Sequence, residues 1–269
     1  MLLDHGADIT AIDRDPEALR EAEARLARFA AEGRFHPVRG DFTRIDEIES
    51  LDGELFDGIL ADLGVSSWQL DEDRRGFSFR PGVPLDMRMS GEGMCAADYH
   101  KEATLEELTA TFRDYGDERR ARRLASEVVR RRERRAFVNA DDLVGAIRGA
   151  LGPTTGPSDF ARLFQAVRIA VNDELAGLER ALPMLRDRLT AGGVLAIIAY
   201  HSGEDRLVKN AMRDWSTACH CPPRQPVCTC GGIAEGALVT RKAIQATPEE
   251  IAANPRARSA RLRVWRKRA

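Results

Sequence analysis

Between residues 8 and 63 three short apolar runs alternate with helix-patterned stretches, and an acidic residue lies at or just beyond the end of each run. Asp8–Asp13 (DITAID) ends at Asp13, Phe35–Val38 is followed by Gly40-Asp41-Phe42, and Phe56–Leu63 carries Asp62 at its carboxyl end. Pro16 opens the first intervening helix, where a missing N–H is tolerated. Leu19, Ala22, Leu26 and Phe29 then share one face as far as Ala31, with Gly33 beyond. Ile45–Leu51 reads as a second, shorter helical stretch. Strands separated by helices predict a parallel, doubly wound α/β sheet. Ligands of such sheets bind just outside the carboxyl ends of the strands. Asp13 and Asp62, with Ser66, Ser67 and Gln69 after the third run, therefore stand where chemistry is expected. These residue types also suit ordinary turns, so the spacing alone leaves both readings open.

Val194–Tyr200 (VLAIIAY) is a continuous apolar run of strand length, as expected of a strand buried on both faces. It follows a predicted helix, Leu182–Leu189, and an Ala191-Gly192-Gly193 turn. His201 and Ser202 come directly after it, at a second predicted crevice position. From Thr104 to Leu151 no strand signal occurs. Thr104 with Glu107 forms a capping box, and helices are expected over Glu118–Arg135, Asn139–Leu151 and Asp159–Leu175. The chain thus divides into an α/β domain, residues 1–79 and 179–269, interrupted by an all-α insert at 80–178. Leu262, Val264 and Trp265 mark a last strand.

The chain of 269 residues is 43% hydrophobic and 31% charged, which suits a globular domain large enough to bury a full core. It contains neither a membrane-length apolar run nor a secretory pattern at its start, so a cytoplasmic protein is expected. The formal net charge is −2, but residues 1–72 are strongly acidic and the remainder is net basic. Arginines crowd residues 119–135, among them Arg130, Arg131 and Arg132. Such a run either contacts phosphates or forms a solvated face. Cys219, Cys221, Cys228 and Cys230 form two C-x-C pairs. In a reducing compartment these are either four thiolate ligands for one structural zinc or reduced cysteines in a surface loop.

Six segments occur together in a fixed order: DLGVSSWQLD (Asp62–Asp71), RGFSF (Arg75–Phe79), PLDMRM (Pro84–Met89), FQAVRIAVNDEL (Phe164–Leu175), AYHSGEDRLVK (Ala199–Lys209) and NPRARSARLR (Asn254–Arg263). With them the chain resembles the bacterial 16S rRNA (cytosine-N4)-methyltransferases of the MraW/RsmH type, over essentially its whole length. It departs from the family pattern at Trp68, where Pro is usual, and at Gly203, where Leu is usual.

The resemblance implies a Rossmann-like, S-adenosylmethionine-dependent methyltransferase domain with a helical insert that binds RNA. The expected reaction is N4-methylation of a cytidine in the decoding region of small-subunit rRNA. Carried over by motif, Asp13, Phe42, Asp62 and Gln69 would contact the cofactor. Asp62 is equally placed to accept a hydrogen bond from the reacting amine, and His201 and Ser202 are expected to line the cytosine pocket. Trp68 would stack on a base or pack in the core. The family's glycine-rich cofactor loop would precede the first residue, so the chain alone is expected to bind S-adenosylmethionine weakly, with an open sheet edge. A second class of function follows from that expectation: a cofactor-free remnant that binds the ribosomal subunit through its basic insert.

Overall fold

The computed structural model describes residues 2–219, 221, 225 and 229–269. In chain order β1 (Ile9–Asp13), α1 (Pro16–Arg25), α2 (Ala27–Ala31), β2 (Phe35–Arg39) and β3 (Phe56–Asp62) come first. Six helices follow: α3 (Ser67–Asp71), α4 (Ala96–Glu102), α5 (Leu105–Ala110), α6 (Ala121–Arg132), α7 (Ala140–Leu151) and α8 (Pro157–Asn172). The chain continues through α9 (Glu174–Asp187), β4 (Leu189–Ala199) and α10 (Ser202–Trp215). It ends with β5 (Gly236–Leu238), β6 (Ile244–Gln245), α11 (Pro248–Ala253) and β7 (Arg261–Lys267). The fold is mixed α/β, and the chain separates into two compact units.

The first unit contains residues 1–13, 22–64 and 175–269. Its strands form two groups rather than one continuous sheet. β1 and β2 pair in parallel, and a second sheet runs β3-β4-β7-β5, with β6 also on β7. β3 and β4 are parallel, whereas β7 is antiparallel to β4. Among the described residues β1 and β3 each keep one edge without a strand partner. Leu195, Ile197 and Ala199 of β4 are buried in alternation and meet Leu178, Leu182 and Leu185 of α9 in one core. The fully buried Trp265 of β7 sits edge-on to Trp215, with ring centroids 5.3 Å apart. β4 begins earlier than expected, at Leu189. The Gly192-Gly193 pair does not end the strand but accompanies a register shift against β3, opposite Phe56–Gly58.

The second unit contains residues 14–21 and 65–174, and its regular elements are helical. Its longer segment begins at Val65 rather than at residue 80, because Val65, Leu70, Phe77 and Phe79 pack with the helices. α6 buries Ala121, Leu124, Ala125 and Val128, an i, i+3, i+4, i+7 face. Leu108, Phe112, Leu143, Ile147, Leu163 and Val167 complete that core. Gly76 is required where the chain turns, at φ +75°, because a Cβ there would collide with the Pro84 carbonyl oxygen.

Candidate active site

In the first unit the strand register brings two polar side chains together. Asp62, the last residue of β3, lies opposite Ile198 of β4. Tyr200, two residues beyond Ile198, returns to the same face of the sheet. Its hydroxyl donates to Asp62 Oδ1 at 2.9 Å. Asp62 Oδ2 has no hydrogen-bond partner among the described residues. Burial raises the Asp62 pKa above the usual aspartate value, and the Tyr200 hydrogen bond draws it part of the way back. Burial and the neighbouring carboxylate push Tyr200 up to about 12, so it remains a neutral donor. Tyr200 was not among the residues expected from sequence. Its one signal was an aromatic hydroxyl at the end of a buried strand.

Asp13 ends β1 and is exposed. Phe42 follows β2 and packs partly buried against the core of this unit, after Asp41 has capped the turn by accepting from Thr43 N at 2.9 Å. Asp13, Phe42 and Asp62 thus occupy the carboxyl ends of three strands, as the spacing predicts.

His201 follows Tyr200 at the start of α10. It is the N-cap of α10, where Nδ1 accepts from Glu204 N at 3.4 Å. The Glu204 carboxylate accepts in return from Tyr200 N at 2.8 Å and His201 N at 3.3 Å. The ring therefore caps the helix start. Its Nε2 lies 3.2 Å from Glu204 Oε1 but outside hydrogen-bond alignment. Ser202 is exposed in the first turn of the same helix.

Gln69, in the second unit, is buried with both ends of its amide committed to protein. Oε1 accepts from Ser66 N at 3.0 Å, closing a capping box on α3, and Nε2 donates to Asp15 Oδ2 at 2.7 Å. Asp15 is fully buried and also receives Arg75 at 2.7 Å, while Arg75 reaches the Met89 carbonyl at 2.6 Å. Met89 N in turn donates to Asn172 Oδ1 at 2.9 Å. The four motifs of this unit are thereby tied to one another. Trp68 is partly exposed, with the Arg74 and Arg75 guanidinium groups 5.8 and 5.9 Å from its ring.

The arginines singled out in α6 are also internally paired. Arg130 and Arg131 both bind Glu127, at 2.6 and 2.7 Å. Arg132 donates to the His100 and Ala103 carbonyls at the end of α4. Arg119, Arg122, Arg123 and Arg134 are exposed and have no ion-pair partner among the described residues. The basic face is therefore carried by these neighbours. Of the expected metal ligands, Cys219, Cys221 and Cys230 place their sulfur atoms within 4.8 Å of one another, and Cys228 lies outside the described residues.

Residues 2–268 match the MraW methylase family. This chain belongs to that family. A relative from Gemmatimonas aurantiaca, named ribosomal RNA small subunit methyltransferase H, is 58% identical over 265 residues, which cover 98% of this chain and 84% of the relative. Proteins of the same name from Anaeromyxobacter dehalogenans and Heliobacterium modesticaldum are 47% and 43% identical, over 99% and 96% of this chain and 87% and 84% of theirs. Among the described residues no helix is long and apolar enough to cross a membrane.

Proposed function

We propose that this protein is a cytoplasmic, S-adenosylmethionine-dependent methyltransferase acting on N4 of a cytidine in the decoding region of 16S rRNA. The observation that carries the proposal is the Asp62–Tyr200 pair at the carboxyl ends of parallel strands, in a chain that matches a methylase family along its length. The donor set suits the cofactor: carboxylates at strand ends for a ribose diol and a cationic sulfonium, and the flat apolar face of Phe42 for an adenine. Asp13, Phe42 and Asp62 would hold it. The bound cofactor supplies an electrophilic methyl group.

The protein's own contribution is alignment and charge. A cytidine N4 lone pair is delocalised into the ring, so an acceptor for one N4–H favours attack. Tyr200 fixes the Asp62 carboxylate through Oδ1 and leaves Oδ2 as that acceptor. Holding the two reacting atoms in line supplies much of the remaining acceleration. The helical unit offers a cavity of about 300 Å³ walled by Phe77, Phe79 and Phe164, with Ser78 and Gln165 as polar groups. Such a lining suits an unstacked base. The exposed arginines around α6 would hold the RNA backbone. Sulfonium-to-amine transfer needs no Lewis acid, so the cysteine cluster has no role in this chemistry. The remnant reading is not favoured, because the match to methyltransferases covers nearly the whole chain.

The test is transfer of labelled methyl groups to small ribosomal subunits, followed by digestion and nucleoside chromatography. N4-methylcytidine is the expected product, and it should fall sharply with Asp62→Asn. Label recovered only in another nucleoside, or N4-methylation undiminished by Asp62→Asn, would overturn the assignment.

A further inference from the structure

The excursion between α10 and β5 has no role in methyl transfer, yet it gathers thiols. It leaves α10 after Trp215 and ends just before β5, where Glu235 N donates to the Trp215 carbonyl at 2.9 Å. Cys219, Cys221 and Cys230 converge within it, their sulfur atoms all within 4.8 Å of one another. Cys219 and Cys230 are exposed, so apolar packing does not account for their clustering. Their sulfurs are 3.9 Å apart. That is too long for a disulfide bond. It matches the edge of a tetrahedron of thiolates around a zinc ion, about 3.8 Å for Zn–S bonds of about 2.3 Å.

One further feature favours a built site. Gly232 passes so close to Ala218 that a Cβ would collide with the Ala218 carbonyl oxygen, and this close approach brings Cys230 beside Cys219. Within the same excursion Gln225 Nε2 donates to Thr229 Oγ1 at 2.7 Å.

We propose that Cys219, Cys221 and Cys230 are thiolate ligands of a structural zinc ion that closes this excursion. The proposal does not depend on the methyltransferase reading. Zinc replaces the three thiol protons on binding, and no redox step is involved.

The full chain, purified under reducing conditions without chelator, should contain about one zinc per molecule by mass spectrometry of the elements. Cys219→Ser with Cys230→Ser should abolish the zinc. Because that variant could unfold, the wild-type chain is also loaded with cobalt(II), which should give thiolate-to-cobalt charge-transfer absorption in the near ultraviolet. A zinc-free chain whose cysteines all react freely with a thiol reagent would overturn the proposal. So would a cobalt spectrum without charge transfer, or zinc content unchanged in the double variant.

Discussion

At the scale of single residues, the Asp62–Tyr200 contact fixes both a rate and a pH dependence. Asp62→Asn should lower methyl transfer about a hundredfold or more if its carboxylate accepts the amine proton, read as kcat/KM on small subunits. The acid limb of wild-type activity should lie above the ordinary aspartate range, because Asp62 is raised. The Tyr200 hydrogen bond opposes that rise, so Tyr200→Phe should move the limb to still higher pH; an unmoved limb would exclude Asp62 as the titrating group. His100 makes a separate prediction. It is fully buried, stacked on Phe137, and bonded through Nδ1 to the Ala96 carbonyl, and burial lowers its pKa from 6.5 to about 4. Below pH 6.5 the unfolded chain binds a proton that the folded chain refuses, so stability is full above that pH. It should fall by about 1.4 kcal/mol per pH unit as pH drops toward 4. Denaturant titrations of His100→Gln should lack this slope.

At the scale of elements, α6 separates two kinds of arginine. Arg122→Ala with Arg123→Ala removes exposed, unpaired charge and should reduce the salt slope of RNA binding by about 1.5 to 2. Arg130→Ala should change the slope little, since its charge already faces Glu127. The helix itself was legible in the sequence, and so was the partner of Arg130 and Arg131, since Glu127 sits three and four residues earlier on the same face. The carbonyls that Arg132 caps lie on α4, beyond the reach of any periodicity. Most element positions followed from apolar spacing: β1, β2, β3, α7 and α8 fall within a few residues of expectation. The expected single helix over 16–31 breaks at Leu26, which has left the helical region at φ −108°, ψ 16°. The hydrogen bonds of Gln69 and Tyr200 were not legible in the sequence for one reason. Their partners, Asp15 and Asp62, are far away in sequence, and only the register of packed segments brings them near.

At the scale of the whole first unit, one ion cluster fastens α10 to the sheet. Asp205 is buried and accepts from Arg263 at 2.7 Å and from Arg261 at 3.1 Å, joining the AYHSGEDRLVK and NPRARSARLR segments. Burial works against the charge of Asp205, but the two guanidinium groups hold its pKa below the usual carboxylate value. Asp205→Asn leaves Arg263 without its charge partner in a site where its side chain is 11% exposed. It should cost about 3 kcal/mol in denaturant unfolding. The wild-type contribution is present above the unfolded aspartate pKa and disappears as pH falls through the lower folded value.

The position of β7 has a consequence for the order in which this unit assembles. The last strand in the sequence does not lie at the margin of its sheet but between β4 and β5, and it also carries β6. Until residues 261–267 have been synthesised, β4 has no antiparallel partner and β5 has nothing to pair with. The nascent sheet must therefore wait for β7, which joins β4 from more than sixty residues later in the chain. Such long-range closure slows folding and leaves strand edges exposed meanwhile. A chaperone that shields β4 during synthesis should raise the yield of folded protein.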